Sequence, residues 1–96
     1  MSKATKLRSV SSATKVFKVL SDETRLRLII TLQEGQQHVS ELCKRLRLPQ
    51  PTVSHHLGVL RNHGLVQDRR DGKLVFYSIN EGPYNRAVDQ IESILD

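Results

Sequence analysis

The chain has 96 residues, one cysteine and a formal net charge of +5, a size that fits a single domain whose modest core gains from self-association. An apolar fraction of 38% beside 26% charged residues excludes an intrinsically disordered chain; no apolar run reaches the ~20 residues of a membrane span, and the N-terminus lacks a signal-peptide core. The lone Cys43 excludes an internal disulfide framework and fits a reducing cytoplasm.

Residues 1–9 read as a mobile basic arm, and residues 10–96 as the folded domain. From Val10, the positions Val10, Ala13, Val16, Phe17 and Leu20 follow helical spacing. Ser21 or Asp22 caps a second helix, with acidic residues favourable in its first turn. Leu26, Leu28, Ile29, Ile30 and Leu32 make it apolar around much of its girth, as a central helix would be, and Gly35 ends it. Val39, Leu42, Cys43 and Leu46 predict a short third helix. After Pro49, Gln50 is the expected cap of a fourth helix and Pro51 suits its first turn; the helix runs to His63, and Gly64 closes it.

The period then changes. Leu65–Arg70 and Lys73–Ile79 are β-favourable runs, with Asp71-Gly72 as the expected two-residue hairpin loop of type I′. Gly82-Pro83 opens a last helix, where Tyr84, Ala87, Val88, Ile91, Ile94 and Leu95 make one stripe. Four helices, a hairpin and a helix, with a short turn between helices three and four, make a helix-turn-helix with a β-wing: a mainly α, α+β domain.

Three of the four histidines fall on or beside the fourth helix. At ~100° per residue, Val53, Leu57 and Leu60 share the core face, His56 flanks it, and His55 lies opposite. The outward side presents Thr52, Ser54, His55, Val59 and Asn62 rather than a lattice of Lys and Glu. Short hydrogen-bonding groups suit base edges in a major groove. His56 is expected to pack and bond at a helix junction; His63 sits beside the C-cap, and His38 has no visible partner. The four lack ligand spacing, so no metal site is read from them.

Basic residues gather in two zones. Lys3, Lys6, Arg8, Lys15 and Lys18 stand without an acid in residues 1–20; Lys44, Arg45, Arg47, Arg61, Arg69, Arg70 and Lys73 face only Asp68 and Asp71 in residues 43–73. Such zones are either solvated faces or the electrostatic footprint of nucleic acid.

"VLSDETRLRLIITL", "VSELCKRL", "PQPTVSHHLGVLRNHGLV" and "RRDGKLVFYSI" resemble the ArsR/SmtB winged-helix repressors over about residues 10–95. The resemblance implies a homodimer built from the first and last helices, with two recognition helices reaching successive major grooves of an imperfect palindrome. It also implies that Gln50, Thr52, Ser54 and His55 face the bases and that Arg69, Arg70 and Lys73 form the wing. Arg45, Arg47 and Arg61 join the wing cations as expected phosphate contacts. Val10, Ala13, Phe17 and Leu20, together with the last helix's stripe, are expected at the dimer interface.

Metal-sensing members carry a Cys-x-Cys pair where this chain reads Cys43-Lys44-Arg45, and others use Asp and His on the last helix, which here offers Asp89, Glu92 and Asp96 without a histidine. No metal or cofactor is therefore expected, and a small-molecule or redox inducer stays unidentified. Cys43 fits either a packed core thiol or a redox-responsive one beside Lys44 and Arg45. The expected activity is repression through a palindromic operator in double-stranded DNA. The alternatives are a winged helix used for protein association and a redox-responsive repressor acting through Cys43. No nucleophile–base–acid set or phosphate-cradling glycine loop points to an enzyme.

Overall fold

The computed structural model describes residues 2–96. Its order is α1 (Lys3–Leu20), α2 (Glu23–Leu32), β1 (Gln37–His38), α3 (Val39–Leu46), α4 (Gln50–Asn62), β2 (Val66–Asp71), β3 (Leu74–Ile79) and α5 (Glu81–Leu95). The strands form one antiparallel sheet, β1-β3-β2. The four helices, hairpin and closing helix match the expected winged helix-turn-helix.

Several local features differ from expectation. Lys3 to Ser9 are the first turns of α1 rather than an arm: Ser2 Oγ accepts the Thr5 N–H at 3.2 Å, satisfying one orphan donor. The Lys6 ammonium then reaches the Asp96 carbonyl at 2.7 Å, tying the start of α1 to the end of α5. Of the two expected caps of α2, Asp22 is the one used, its carboxylate accepting the Arg25 N–H at 3.1 Å. That bond holds the Asp22 carboxyl below its ordinary pKa, with the nearby Arg25 guanidinium acting the same way against the opposing effect of desolvation. Gln50 is the first residue of α4 and Pro49 is its cap; the Pro49 carbonyl accepts the Val53 N–H at 3.2 Å.

The core gathers around α4. Val53, Leu57 and Leu60 are fully buried against Leu28 and Leu32 of α2, Leu42 and Leu46 of α3, and Leu65, Val66 and Tyr77. This inward stripe orients the recognition helix, because rotating α4 would expose three large apolar side chains at about 1.5–3 kcal/mol each. α2 is less central than its composition predicts. Leu28, Ile29 and Leu32 are buried, yet Leu26 and Ile30 are 42% and 62% exposed, because the core covers only one side of the helix.

The hairpin turn is displaced by one residue. Asp71 pairs with Leu74, so the loop is Gly72-Lys73, with φ +61° at Gly72 alone. A glycine first, with an ordinary φ after it, is the pattern of a type II′ turn. The pairing Val66↔Ile79 and Asp68↔Tyr77 decides the register, because a slip of one residue would turn Tyr77, Val75 and Ile79 away from the core. Strand β1 has no counterpart in the predicted elements: two residues are too few to show a period.

Candidate nucleic-acid interface

α3 and α4 are joined by Arg47-Leu48-Pro49. Arg47 takes the left-handed conformation (φ 57°, ψ 46°), and the N–H groups of Arg47 and Leu48 both turn back to the Cys43 carbonyl. This is the geometry that ends a helix, normally given to glycine. Pro49 and Pro51 hold the following backbone, and α4 begins with no side-chain cap and no acid in its first turn. The Gln50 and Thr52 N–H groups are therefore left for an outside acceptor.

On α4, Gln50, Ser54, His55, Arg61 and Asn62 are exposed and Thr52 is half-buried. His55 is opposite the buried stripe. His56 is turned inward, with 15% of its side chain exposed. Its Nδ1 is 3.2 Å from the Arg25 guanidinium and 3.8 Å from Asp22 Oδ1, while Arg25 Nε donates to the Val19 carbonyl at 2.6 Å. Arginine only donates, so His56 Nδ1 accepts here and the ring proton sits on Nε2. This network fastens α4 to the start of α2, the junction role expected of His56. The two imidazoles meet edge to face, with centroids 5.1 Å apart.

The expected phosphate cations fall into two groups. Arg45 is engaged inside the subunit: it meets Glu34 at 2.6 Å and the Gln37 side-chain oxygen at 3.0 Å, and the Glu34 bond raises its pKa further. Gln37, which is buried, passes its amide to the Thr31 carbonyl at 2.8 Å. Arg61 meets Asp68 at 3.3 Å. Arg47, Arg70 and Lys73 are exposed and form no ion pair among the described residues. Arg69 lies between these groups, stacked over Phe76 at 4.8 Å, with Gln36 at 3.4 Å and Asp71 at 3.8 Å. His38, which lacks a partner in the sequence pattern, has several: Ser40 Oγ at 2.7 Å, Glu41 at 3.4 Å and the Phe76 ring edge-on at 5.7 Å. Ser40 and Glu41 follow it within one turn, and the pairing of β1 with β3 adds Phe76.

Cys43 is half-buried against the core, which favours the packed-thiol reading. It has Lys44 and Arg45 beside it instead of a second thiolate, and among the described residues no three metal-ligating side chains converge. The donor set does not fit the thiolate–metal chemistry of the metal sensors.

The expected dimer residues also divide. Ala13 is buried within its own subunit, and Leu20, Tyr84 and Ala87 pack on the subunit's own core. Val10, Phe17 and Leu95 are exposed, at 47%, 43% and 71%, and Val88, Ile91 and Ile94 are half-buried. No residue of α5 is fully buried. Leu7, outside the expected set, is 64% exposed, one turn from Val10.

A recognition helix with a polar outward face, set beside a basic hairpin, defines a winged helix-turn-helix regulator. A family model, "Bacterial regulatory protein, arsR family", matches residues 22–68. The chain is 40% identical over 79 residues to the biofilm growth-associated repressor of Xylella fastidiosa strain Temecula1, covering 82% of this chain and 69% of that protein. It is 45% identical over 67 residues to the arsenical resistance operon repressor of Escherichia coli K12, covering 69% of this chain and 57% of the other. The solved structure of the transcriptional repressor BigR from Xylella fastidiosa superposes with a TM-score of 0.82 at 34% identity, over 100% of this chain and 98% of that one. The chain belongs to the ArsR family of bacterial transcriptional regulators.

Proposed function

We propose that the chain is a homodimeric repressor that reads a palindromic operator in double-stranded DNA in the cytoplasm. The observation that carries this is the split character of α4: Val53, Leu57 and Leu60 wholly buried, and Gln50, Ser54 and His55 directed outward beside the unpaired Arg70 and Lys73. Gln50, Thr52, Ser54 and His55 contact base edges, where glutamine suits adenine and hydroxyls serve either base. Arg47, Arg69, Arg70 and Lys73 take phosphates, helped by the uncapped N–H groups of α4. Arg45 and Arg61 act mainly on their own subunit. The repressor names of the relatives support the direction of regulation.

The two-fold arrangement rests on Leu7, Val10, Phe17 and Leu95. Left in water, these side chains form the kind of apolar surface that marks an interface, and a symmetric pairing of α1 and α5 covers it. No helix among the described residues is long and apolar enough to cross a membrane.

Selection of bound duplexes from a random library tests the proposal. A single palindromic motif is expected, and His55→Ala or Gln50→Ala should lose ~1–3 kcal/mol of discrimination at a defined base pair. Recovery of unrelated sequences, or a monomer by sedimentation at micromolar concentration, would defeat it.

A further inference from the structure

A pocket of about 320 Å³ opens between α1, the end of α4 and the start of α5. Val16, Leu65, Pro83 and Ala87 give it an apolar floor, while Lys15, Arg86 and His63 stand around it, and no acidic side chain lines it. Among the described residues, Lys15 and Arg86 form no ion pair. Arg86 folds back over the first turn of its own helix, with a guanidinium nitrogen 3.4 Å from where a Cβ on Gly82 would sit; the missing side chain leaves it that space. His63 Nδ1 is 2.9 Å from the Val59 carbonyl. A carbonyl only accepts, so this nitrogen carries the proton and Nε2 is the ring nitrogen left free.

We propose that this pocket binds a small organic anion: a carboxylate on a compact aromatic or branched apolar body. Ligand sites are concave and mostly apolar, with a few polar groups that fix orientation. Here the apolar body rests on Val16, Leu65 and Pro83, and the carboxylate meets the planar fork of Arg86 with Lys15 beside it. On the α1 side, the proposed pairing leaves the site uncovered. Ser12, Lys15 and Val16 make one stripe of α1, and the uncovered Leu7, Val10 and Phe17 lie on the opposite side of the same helix. The site itself does not depend on the DNA reading. His63 is the C-cap residue of α4, so its occupant touches the end of the helix proposed to read the operator.

Calorimetric titration of the full chain with 1-naphthoate at neutral pH, without DNA, tests the proposal. Saturable binding is expected, with the neutral 1-naphthalenemethanol at least about tenfold weaker. Arg86→Gln and Lys15→Gln should each weaken naphthoate about tenfold, ~1.4 kcal/mol. Arg86→Lys should lose less than Arg86→Gln, and Lys18→Gln, outside the pocket, should bind as the parent does. Circular dichroism establishes that each variant is folded. Equal binding of acid and alcohol, undiminished binding in both Gln variants, or no saturable binding in the millimolar range would overturn it.

Discussion

The division of the basic residues into free and engaged sets gives a quantitative prediction. Lys73 sits in the wing turn without an acidic partner among the described residues, whereas Arg45 is held by Glu34 and Gln37. Each phosphate contact contributes about −0.9 to the slope of log affinity against log salt. Removing Lys73 from both subunits of a dimer removes two such contacts, flattening the slope by ~1.8. Between 50 and 200 mM salt this is roughly a twelvefold smaller fall in affinity than the parent shows. Arg45→Ala should leave the slope nearly unchanged, because its charge already serves Glu34. Fluorescence anisotropy with a labelled duplex across that salt range measures both. A slope that flattens as much for Arg45→Ala as for Lys73→Ala would refute the assignment of free and engaged cations.

Other consequences concern stability and its separation from binding. Gly58 lies within α4, with nothing within 4 Å of an added Cβ; Gly58→Ala should therefore stabilise the fold by ~0.5–1 kcal/mol, a rise of a few degrees in Tm by calorimetry. If the glycine serves close approach to the groove, the same variant loses duplex affinity. Arg47→Gly relieves a left-handed arginine and should be neutral to stabilising, by up to about 1 kcal/mol in urea unfolding, while weakening duplexes of every sequence; a large loss of stability would contradict the backbone argument. Asp22→Asn keeps a capping oxygen but removes the charge. Because the folded carboxyl is held below its ordinary pKa, its contribution is present above about pH 4 and fades as pH falls through the folded value. The gap between parent and variant in urea unfolding should therefore close from neutral pH toward pH 3, and a gap independent of pH would count against it.

The sequence by itself determined the order of the five helices and the hairpin, and the inward face of α4. Apolar spacing at Val53, Leu57 and Leu60 leaves one energetically acceptable rotation, and from that rotation the outward placement of His55 and the junction role of His56 follow. Periodicity is a local property, and it served wherever an element was long enough to show one. Tertiary structure decided what depended on neighbours distant in the chain. Strand β1 exists because β3 offers it an edge, and His38 meets Phe76 only there. Arg45 is withdrawn from the free cations because the turn after α2 carries Glu34 to it, and Ala13 lies inside because α1 packs on its own subunit. A charge or an apolar side chain in a sequence carries no mark of whether another segment will meet it; that is fixed only when the helices and the wing come together.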